Sequence, residues 1–477
     1  MNVNLKLKIY KFLNSITFGK SKKYYSSKIE KYEQKLNPPF LDYEFNRRPG
    51  NFVRNGYDFY YEENSIVNYA QLNKLKELQL IDKIKRGKKA KVCFMLDHIA
   101  KFSSISVYHA MEQSEIFEPF LVLYSTEDKI FDNNEIWFKH KESLKILENN
   151  GYKVCNGYNE LRQYIPITDF SPDIVFLNTP ALCYTKNMYL NNVFMNVNFL
   201  VCYLNYAFNT INSYDYHYNN KRIASCWKHF VETREDYLEL LDHSKYFGTN
   251  CVLTGYPKLD KYIIPIEECK IPTKINNGKP IVIYAPHRSI HETWEPLNLS
   301  TFHIYYEKFL ELAKNYSDIN FVFKPHPFLY NAVIKNNIMN DVEFNDYLKQ
   351  WDLLPNGIIV DDGEYIDLFR KSDLLITDCG SFIGEWLPTE KPCIYLVNPE
   401  RNQKTYMDGF SLMGRKILEK YYLAHNQEEI DKYFKMIMFD KQDPMKEERI
   451  KLKDELFINI GCAGQKIVDY LTEILTD

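Results

Sequence analysis

Glycine and proline together make up about 8% of the 477 residues, below the roughly 12% usual in soluble proteins, which excludes long flexible or collagen-like stretches. Ten cysteines occur, at 93, 155, 183, 202, 226, 251, 269, 379, 393 and 462. They form no C-x-x-C pair and no Cys/His group at zinc spacing, so no metal or redox motif is expected. Cys93 and Cys202 sit inside apolar runs, where a reduced cysteine acts as a small hydrophobe, and a reducing cytoplasm is the expected compartment. No run approaches the ~18 consecutive apolar residues of a membrane span. The longest candidate, Phe194 to Phe208, is broken by Asn196, Asn198 and Asn205. The N-terminus lacks a secretory apolar region and cleavage site, so export is not expected either. Neither sign of charge dominates: 60 Lys and Arg face 63 Asp and Glu, a net charge of -3. That balance argues against a whole-molecule polyanion binder, nucleic acid included.

What is present is enough chain for two or three domains, with 45% hydrophobic and 26% charged residues. Charge is unevenly placed. Nine lysines against Glu30 and Glu33 put +7 on residues 1–35, which leaves -10 on the remainder. Leu5, Ile9, Phe12, Leu13 and Ile16 recur at helical spacing with Lys6, Lys8 and Lys11 around them. Such a helix can lie on an anionic membrane surface or pack on the protein's own body, with even weight on each. Residues 37–63, with Pro38-Pro39 and Arg47 to Gly50, read as an irregular connector.

From Lys91 onward short apolar strands alternate with helix-length amphipathic segments: strands at 91–96, 119–124, 173–177, 198–203, 229–232 and 251–253. The rhythm stops near 264–280, among Pro265, Pro272 and Gly278, and then restarts at 280–285, 319–323, 357–360, 373–377 and 392–396. Strands apolar on both faces and spaced by helices imply parallel sheets covered on both sides. The expected fold is α/β, two Rossmann-like domains facing a central cleft, with a basic helical N-terminal extension. The expected divisions are 1–85 for extension and connector, 86–268 and 269–427 for the two domains, and 428–477 for closing helices.

Ligands in open α/β sheets bind beyond the carboxyl ends of the strands. In the second half those ends carry Pro286-His287-Arg288, Lys324-Pro325-His326-Pro327, Asp361-Asp362-Gly363 and Asp378-Cys379-Gly380-Ser381. Two prolines stiffen the turn that holds His326, whose near-neutral pKa suits it to protonate or hydrogen-bond a leaving phosphate. The glycine at the bend from Asp378 to Ser381 presents backbone N–H groups and the Ser381 hydroxyl to an anion, although a plain N-cap explains the same residues. Glu385, one helical turn beyond Ser381, is placed to accept from ribose hydroxyls. Arg288 offers a permanent forked charge for phosphate.

At these residues the sequence resembles the CDP-glycerol glycerophosphotransferase family, whose members build teichoic acids and related capsule polymers. The matching pieces are Thr254-Gly-Tyr-Pro-Lys-Leu-Asp260, Ile283-Tyr-Ala-Pro-His-Arg288, Lys324-Pro-His-Pro327 and Asp373 to Ser381, followed by Lys391-Pro392. The resemblance implies a GT-B fold, a CDP-linked donor held mainly by the C-terminal domain, no cofactor and no metal of the DxD kind. It puts Arg288, His326 and Ser381 around the donor pyrophosphate, with Lys324, Asp378, Gly380 and Glu385 beside them, Glu385 standing where the family usually has aspartate. The implied reaction is attack of an acceptor hydroxyl on the polyol-linked phosphorus, with CMP leaving. The family's N-terminal His-Gly motif corresponds here to Tyr203 to Phe208, without histidine. Asp97 and His98, at the end of the first strand, are the candidate bases, with His217 as a further one. Expected partners are the CDP-polyol, a glycan or lipid-linked acceptor and, through residues 1–35, the inner face of the cell membrane. A nucleotide-sugar glycosyltransferase of the same fold and a non-catalytic member of a glycan-assembly complex stay open as alternatives.

Overall fold

The computed structural model describes residues 66–97, 99–125, 133–179, 198–213, 220–242, 248–292, 297–361 and 365–477. The basic segment 1–35, His98 and His217 lie outside the described residues. The first sheet holds β1 (Ala90–Leu96), β2 (Phe117–Leu123), β3 (Val154–Asn156), β4 (Ile174–Leu177), β5 (Leu200–Leu204), β6 (Lys228–Val231) and β7 (Cys251–Leu253). Their order is β3-β2-β1-β4-β5-β6-β7, and every pairing is parallel. The second holds β8 (Ile281–Ala285), β9 (Asn320–Phe323), β10 (Gly357–Ile359), β11 (Leu374–Thr377), β12 (Cys393–Leu396) and β13 (Tyr422–Ala424), in the order β10-β9-β8-β11-β12-β13, again all parallel. β3 and β13 were not expected from the sequence: each is three residues long, and β3 is partly exposed throughout, too little for an apolar run to register.

Burial explains the strand composition. All residues of β4, β5, β8, β9, β11 and β12 are buried, because helices cover both faces of each sheet. Helix Phe302–Asn315 contributes Phe302, Tyr305, Phe309, Leu312 and Ala313 at helical spacing to the core over β8 and β9. Helix Asp341–Leu353 on the same side starts from a capping box, Asn340 accepting from the Glu343 N–H while Glu343 accepts from Asn340.

The two lobes are locked together by close backbone approach. The segment after β5 crosses to the second lobe, where Ile211 bridges to Phe410 and Ser411 Oγ donates to the Asn209 carbonyl at 2.8 Å. Glycines receive it: a Cβ at Gly380 would stand 2.9 Å from Ile211 and Thr210, one at Gly384 2.9 Å from the Phe208 ring, and one at Gly414 would strike the Thr210 carbonyl. The residues expected to close the structure divide between the lobes. Helices Gln427–Met438 and Lys446–Leu456 pack on the second lobe, whereas Ala463–Thr476 returns to bury Ile467, Val468, Leu471 and Leu475 in the first. Asp260 caps that last helix, accepting from the N–H groups of Ala463 and Gly464, each at 2.7 Å, and from Ser106 Oγ at 2.7 Å. Helix Ile66–Lys85 sends Leu80 into the first lobe, so the described end of the expected extension is built into that lobe. Among the described residues no helix is long and apolar enough to cross a membrane.

Candidate active site

In the second sheet, β8 continues to β9 on one side and β11 to β12 on the other, so the carboxyl ends of the neighbours β8 and β11 diverge and leave a crevice between them. The segments bordering it are 286–288 and 378–381, with 324–327 at the end of β9 next door. Asp378 ties them together. Its Oδ1 accepts the His287 N–H at 2.5 Å, and its Oδ2 accepts the Thr301 N–H at 2.6 Å and the Thr301 hydroxyl at 2.8 Å. Fully buried, its carboxyl is pushed up to about 7 by desolvation, against the pull of those three bonds. Its side chain thus faces inward and shapes the crevice, a different placement from the ligand contact expected of it.

Two histidines stand at the ends of adjacent strands, His287 after β8 and His326 after β9, with ring centres 5.1 Å apart and nearly perpendicular. The Phe328 N–H donates to His326 Nδ1 at 3.0 Å, and the Ser289 N–H to His287 Nδ1 at 3.3 Å. Backbone donors at both Nδ1 atoms assign the proton of each neutral ring to Nε2. Although part of each ring reaches the surface, burial lowers both pKa values, His287 to about 3 and His326 well below its ordinary value. Arg288 lowers both further, and His287 and Lys324 add to the shift of His326. Near neutral pH the pair therefore offers two Nε2–H donors and no imidazolium. Half-buried Arg288 lies 3.6 Å from Glu292, and buried Lys324 sets its Nζ 5.1 Å from the centre of the Tyr365 ring. Ser381 Oγ sits 3.4 Å from Cys379 Sγ at the start of helix Gly380–Trp386, while Gly380 is occupied with the lobe contact.

Below this crevice a second group spans the lobes. Lys258, from the loop after β7, places Nζ 3.2 and 3.4 Å from the two carboxylate oxygens of Glu385 and 2.6 Å from the Tyr365 hydroxyl. Tyr365 in turn donates to Glu385. Glu385 is fully buried, so the carboxylate expected to meet ribose hydroxyls is engaged by Lys258 and Tyr365. A largely buried ion pair carries a desolvation cost that such added hydrogen bonds offset.

On the first lobe, Asp97 follows β1. Its Oδ2 is 2.5 Å from Lys101 Nζ, and its buried Oδ1 has no hydrogen-bond partner among the described residues. Lys101 Nζ is 5.9 Å from the ring of Tyr206, just past β5. Buried Glu232, at the end of β6, has its carboxyl pushed well up, first by desolvation and then by Asp236. The second lobe thus gathers Arg288, Lys324, His326, Asp378, Gly380 and Ser381 around one crevice and sets Glu385 beneath it, while Asp97 stands on the other sheet. His287 at the crevice and Lys258 and Tyr365 around Glu385 were not among the expected site residues. The signal for His287 was legible, a Pro-His pair at the end of one strand repeated at the end of the next. Lys258 lay within the Thr254 to Asp260 motif.

A family model described as CDP-Glycerol:Poly(glycerophosphate) glycerophosphotransferase matches residues 206–472, more than half of the chain. The chain belongs to this family. The family's matched span takes in the second-lobe crevice, Lys258 and the last helix, but begins after Asp97. The minor teichoic acid biosynthesis protein GgaB of Bacillus subtilis (strain 168) is 22% identical over 469 residues, which cover 88% of this chain. The chain spans 48% of the length of that curated relative. Among solved structures, a putative UDP-N-acetylglucosamine 2-epimerase from Listeria monocytogenes matches with a TM-score of 0.55 at 16% identity, covering 82% of this chain and 98% of the other. A variant of the wall teichoic acid polymerase TagF matches with a TM-score of 0.50 at 14% identity, covering 86% and 94%. These likenesses show the fold, two Rossmann-like domains of the GT-B kind, as the strand pattern and the family resemblance both led one to expect.

Proposed function

We propose that this glycerophosphotransferase-family enzyme moves glycerol phosphate, or a related polyol phosphate, from a CDP-linked donor to a hydroxyl of a cell-surface glycan or teichoic-acid-like or capsule polymer, releasing CMP. The observation that carries the reading is that His287 and His326, with ring centres 5.1 Å apart, stand at the ends of β8 and β9 beside Arg288, while Ser381 follows the end of the neighbouring β11. A diphosphate needs cations and fixed donors, and this arrangement supplies both without a covalent nucleophile. The acceptor oxygen attacks the polyol-bearing phosphorus, a new O–P bond forms, and the P–O bond to CMP breaks. Negative charge grows on the departing CMP phosphate, where neutral His326 donates a hydrogen bond. The hydroxyl proton passes to a base on the first lobe, for which Asp97, whose Oδ1 has no partner among the described residues, and the adjacent His98 are the candidates. Lys324 supplies background charge, and Asp378 and Glu385 hold the crevice in shape through the bonds described above. The enzyme works at the inner face of the cell membrane, with residues 1–35 as its basic contact.

Incubation of the purified chain with a panel of CDP-polyols and nucleotide sugars tests the reading. Consumption of a CDP-polyol with release of CMP is the expected result. Release of a nucleoside diphosphate from a sugar donor would make it a glycosyltransferase, and no turnover of any donor, with the acceptor polymer present, would fit a non-catalytic partner.

A further inference from the structure

In the segments that follow β8 and β12, three side chains meet: His291 in the loop after β8, His303 in the first turn of helix Phe302–Asn315, and Glu400 in the loop after β12. His303 Nε2 lies 3.0 Å from one carboxylate oxygen of Glu400 and His291 Nε2 3.4 Å from the other, and all three ligand atoms fall within 4.8 Å of one another. The two rings stand edge to face with centres 4.9 Å apart. We propose that His291, His303 and Glu400 form a binding site for one divalent cation of the zinc class.

The donor set is the basis. Two imidazole nitrogens and a carboxylate suit zinc-class cations, whose bonds of about 2.0–2.1 Å put tetrahedral ligand atoms about 3.3 Å apart, close to the 3.0 and 3.4 Å that separate the two Nε2 atoms from Glu400. Magnesium and calcium favour all-oxygen shells and fit poorly. The scaffold behind the ligands is buried and satisfied. Asn398 accepts from the Glu400 N–H at 2.9 Å and donates to the carbonyls of Asn298 and Ser300 at 3.1 and 3.2 Å, while Thr301, next but one to His303, is held by Asp378. The backbones at Glu400 and His303 are therefore set before a cation arrives, and next to His291 the Glu292 N–H donates to Asn298 Oδ1 at 3.3 Å. His291 has φ +52°, a left-handed conformation that histidine adopts less readily than asparagine or glycine, yet a histidine stands there. Three protein ligands leave a coordination position for water or an anion. The bound cation cross-links the loop that carries Arg288 to the loop after β12. This separates it from a cation that bridges donor phosphates through a DxD motif. The spacing of the ligands along the chain hides the group from any sequence pattern.

Chelator-stripped full-length protein, titrated by calorimetry with Zn²⁺ and by visible absorption with Co²⁺ in the absence of nucleotide, tests the site independently of the transferase reading. The expected result is one equivalent with nitrogen and oxygen ligation, a melting temperature that rises with Zn²⁺, and affinity reduced by at least about tenfold in Glu400→Gln and His291→Asn. Asparagine keeps the left-handed backbone at 291 and glutamine keeps the shape at 400, so both variants should fold; circular dichroism verifies this. Equal Zn²⁺ binding by wild type and both variants, no binding by the wild type, or Co²⁺ bands of thiolate origin would each overturn the proposal.

Discussion

His287 and His326 illustrate how much a side chain's role depends on what its backbone neighbours donate. Free histidine titrates near neutrality, but burial, Arg288 and the N–H groups at Nδ1 keep these rings neutral and turn them into fixed Nε2–H donors. A histidine held neutral binds fewer protons than the same residue in the unfolded chain, so it costs stability as pH falls below about 6.5 and costs nothing above it. Asp378 has the opposite sign: its raised pKa contributes stability at low pH that is lost as pH rises through about 7. Comparing variants separates the two. His326→Gln should flatten the decline in unfolding free energy between pH 6.5 and 5 by up to about 1.4 kcal/mol per pH unit, measured by urea denaturation; a slope identical to wild type would mean that His326 titrates normally. Arg288→Ala and Ser381→Ala should each weaken CDP-glycerol binding, Arg288→Ala by about 1.5–3 kcal/mol for a lost charge-assisted contact. Calorimetry giving unchanged affinity in both variants would remove the proposed donor site from this crevice.

At the scale of elements, the strands were legible because a parallel strand buried on both faces must be apolar throughout, which a run such as Ile281-Val-Ile-Tyr-Ala285 displays directly. β3 escaped because Val154-Cys-Asn156, between Lys153 and Gly157, offers no such run, and the three-residue β13 was not picked out. The crevice residues were legible for a related reason: polar groups immediately after an apolar strand have no packing purpose there, and His326, Arg288 and Ser381 stand out on that ground. Lys258 and Tyr365 carry no comparable mark. Lys258 follows a strand of the other lobe and Tyr365 precedes a short helix, and their shared partner Glu385 is visible only in the folded structure. The glycines at that docking surface have a direct test. Gly414→Ala would drive a methyl into the Thr210 carbonyl, and an expected loss of about 1–3 kcal/mol should lower the denaturation midpoint. An unchanged midpoint would show that the 208–211 crossing can retreat.

For the whole molecule, the division of charge matters more than its sum. The +7 of residues 1–35 against -10 elsewhere puts a basic segment on an acidic chain. Removing residues 1–20 should reduce sedimentation of the protein with anionic vesicles, an effect that added salt should imitate; sedimentation equal to the full chain would assign the stripe to internal packing. Alternating apolar strands and helices, with polar groups at the strand ends, were enough to specify two parallel α/β domains and to draw attention to the strand-end residues of the second sheet, because local burial and strand-end chemistry are written into short contiguous stretches. Pairings across the lobes were decided by the tertiary structure alone. The Lys258–Glu385 contact, the glycine seats for residues 208–211 and the return of helix Ala463–Thr476 to the first lobe all join residues far apart in the chain. Their partners are set by how two sheets dock, and no periodicity in a single sequence encodes that.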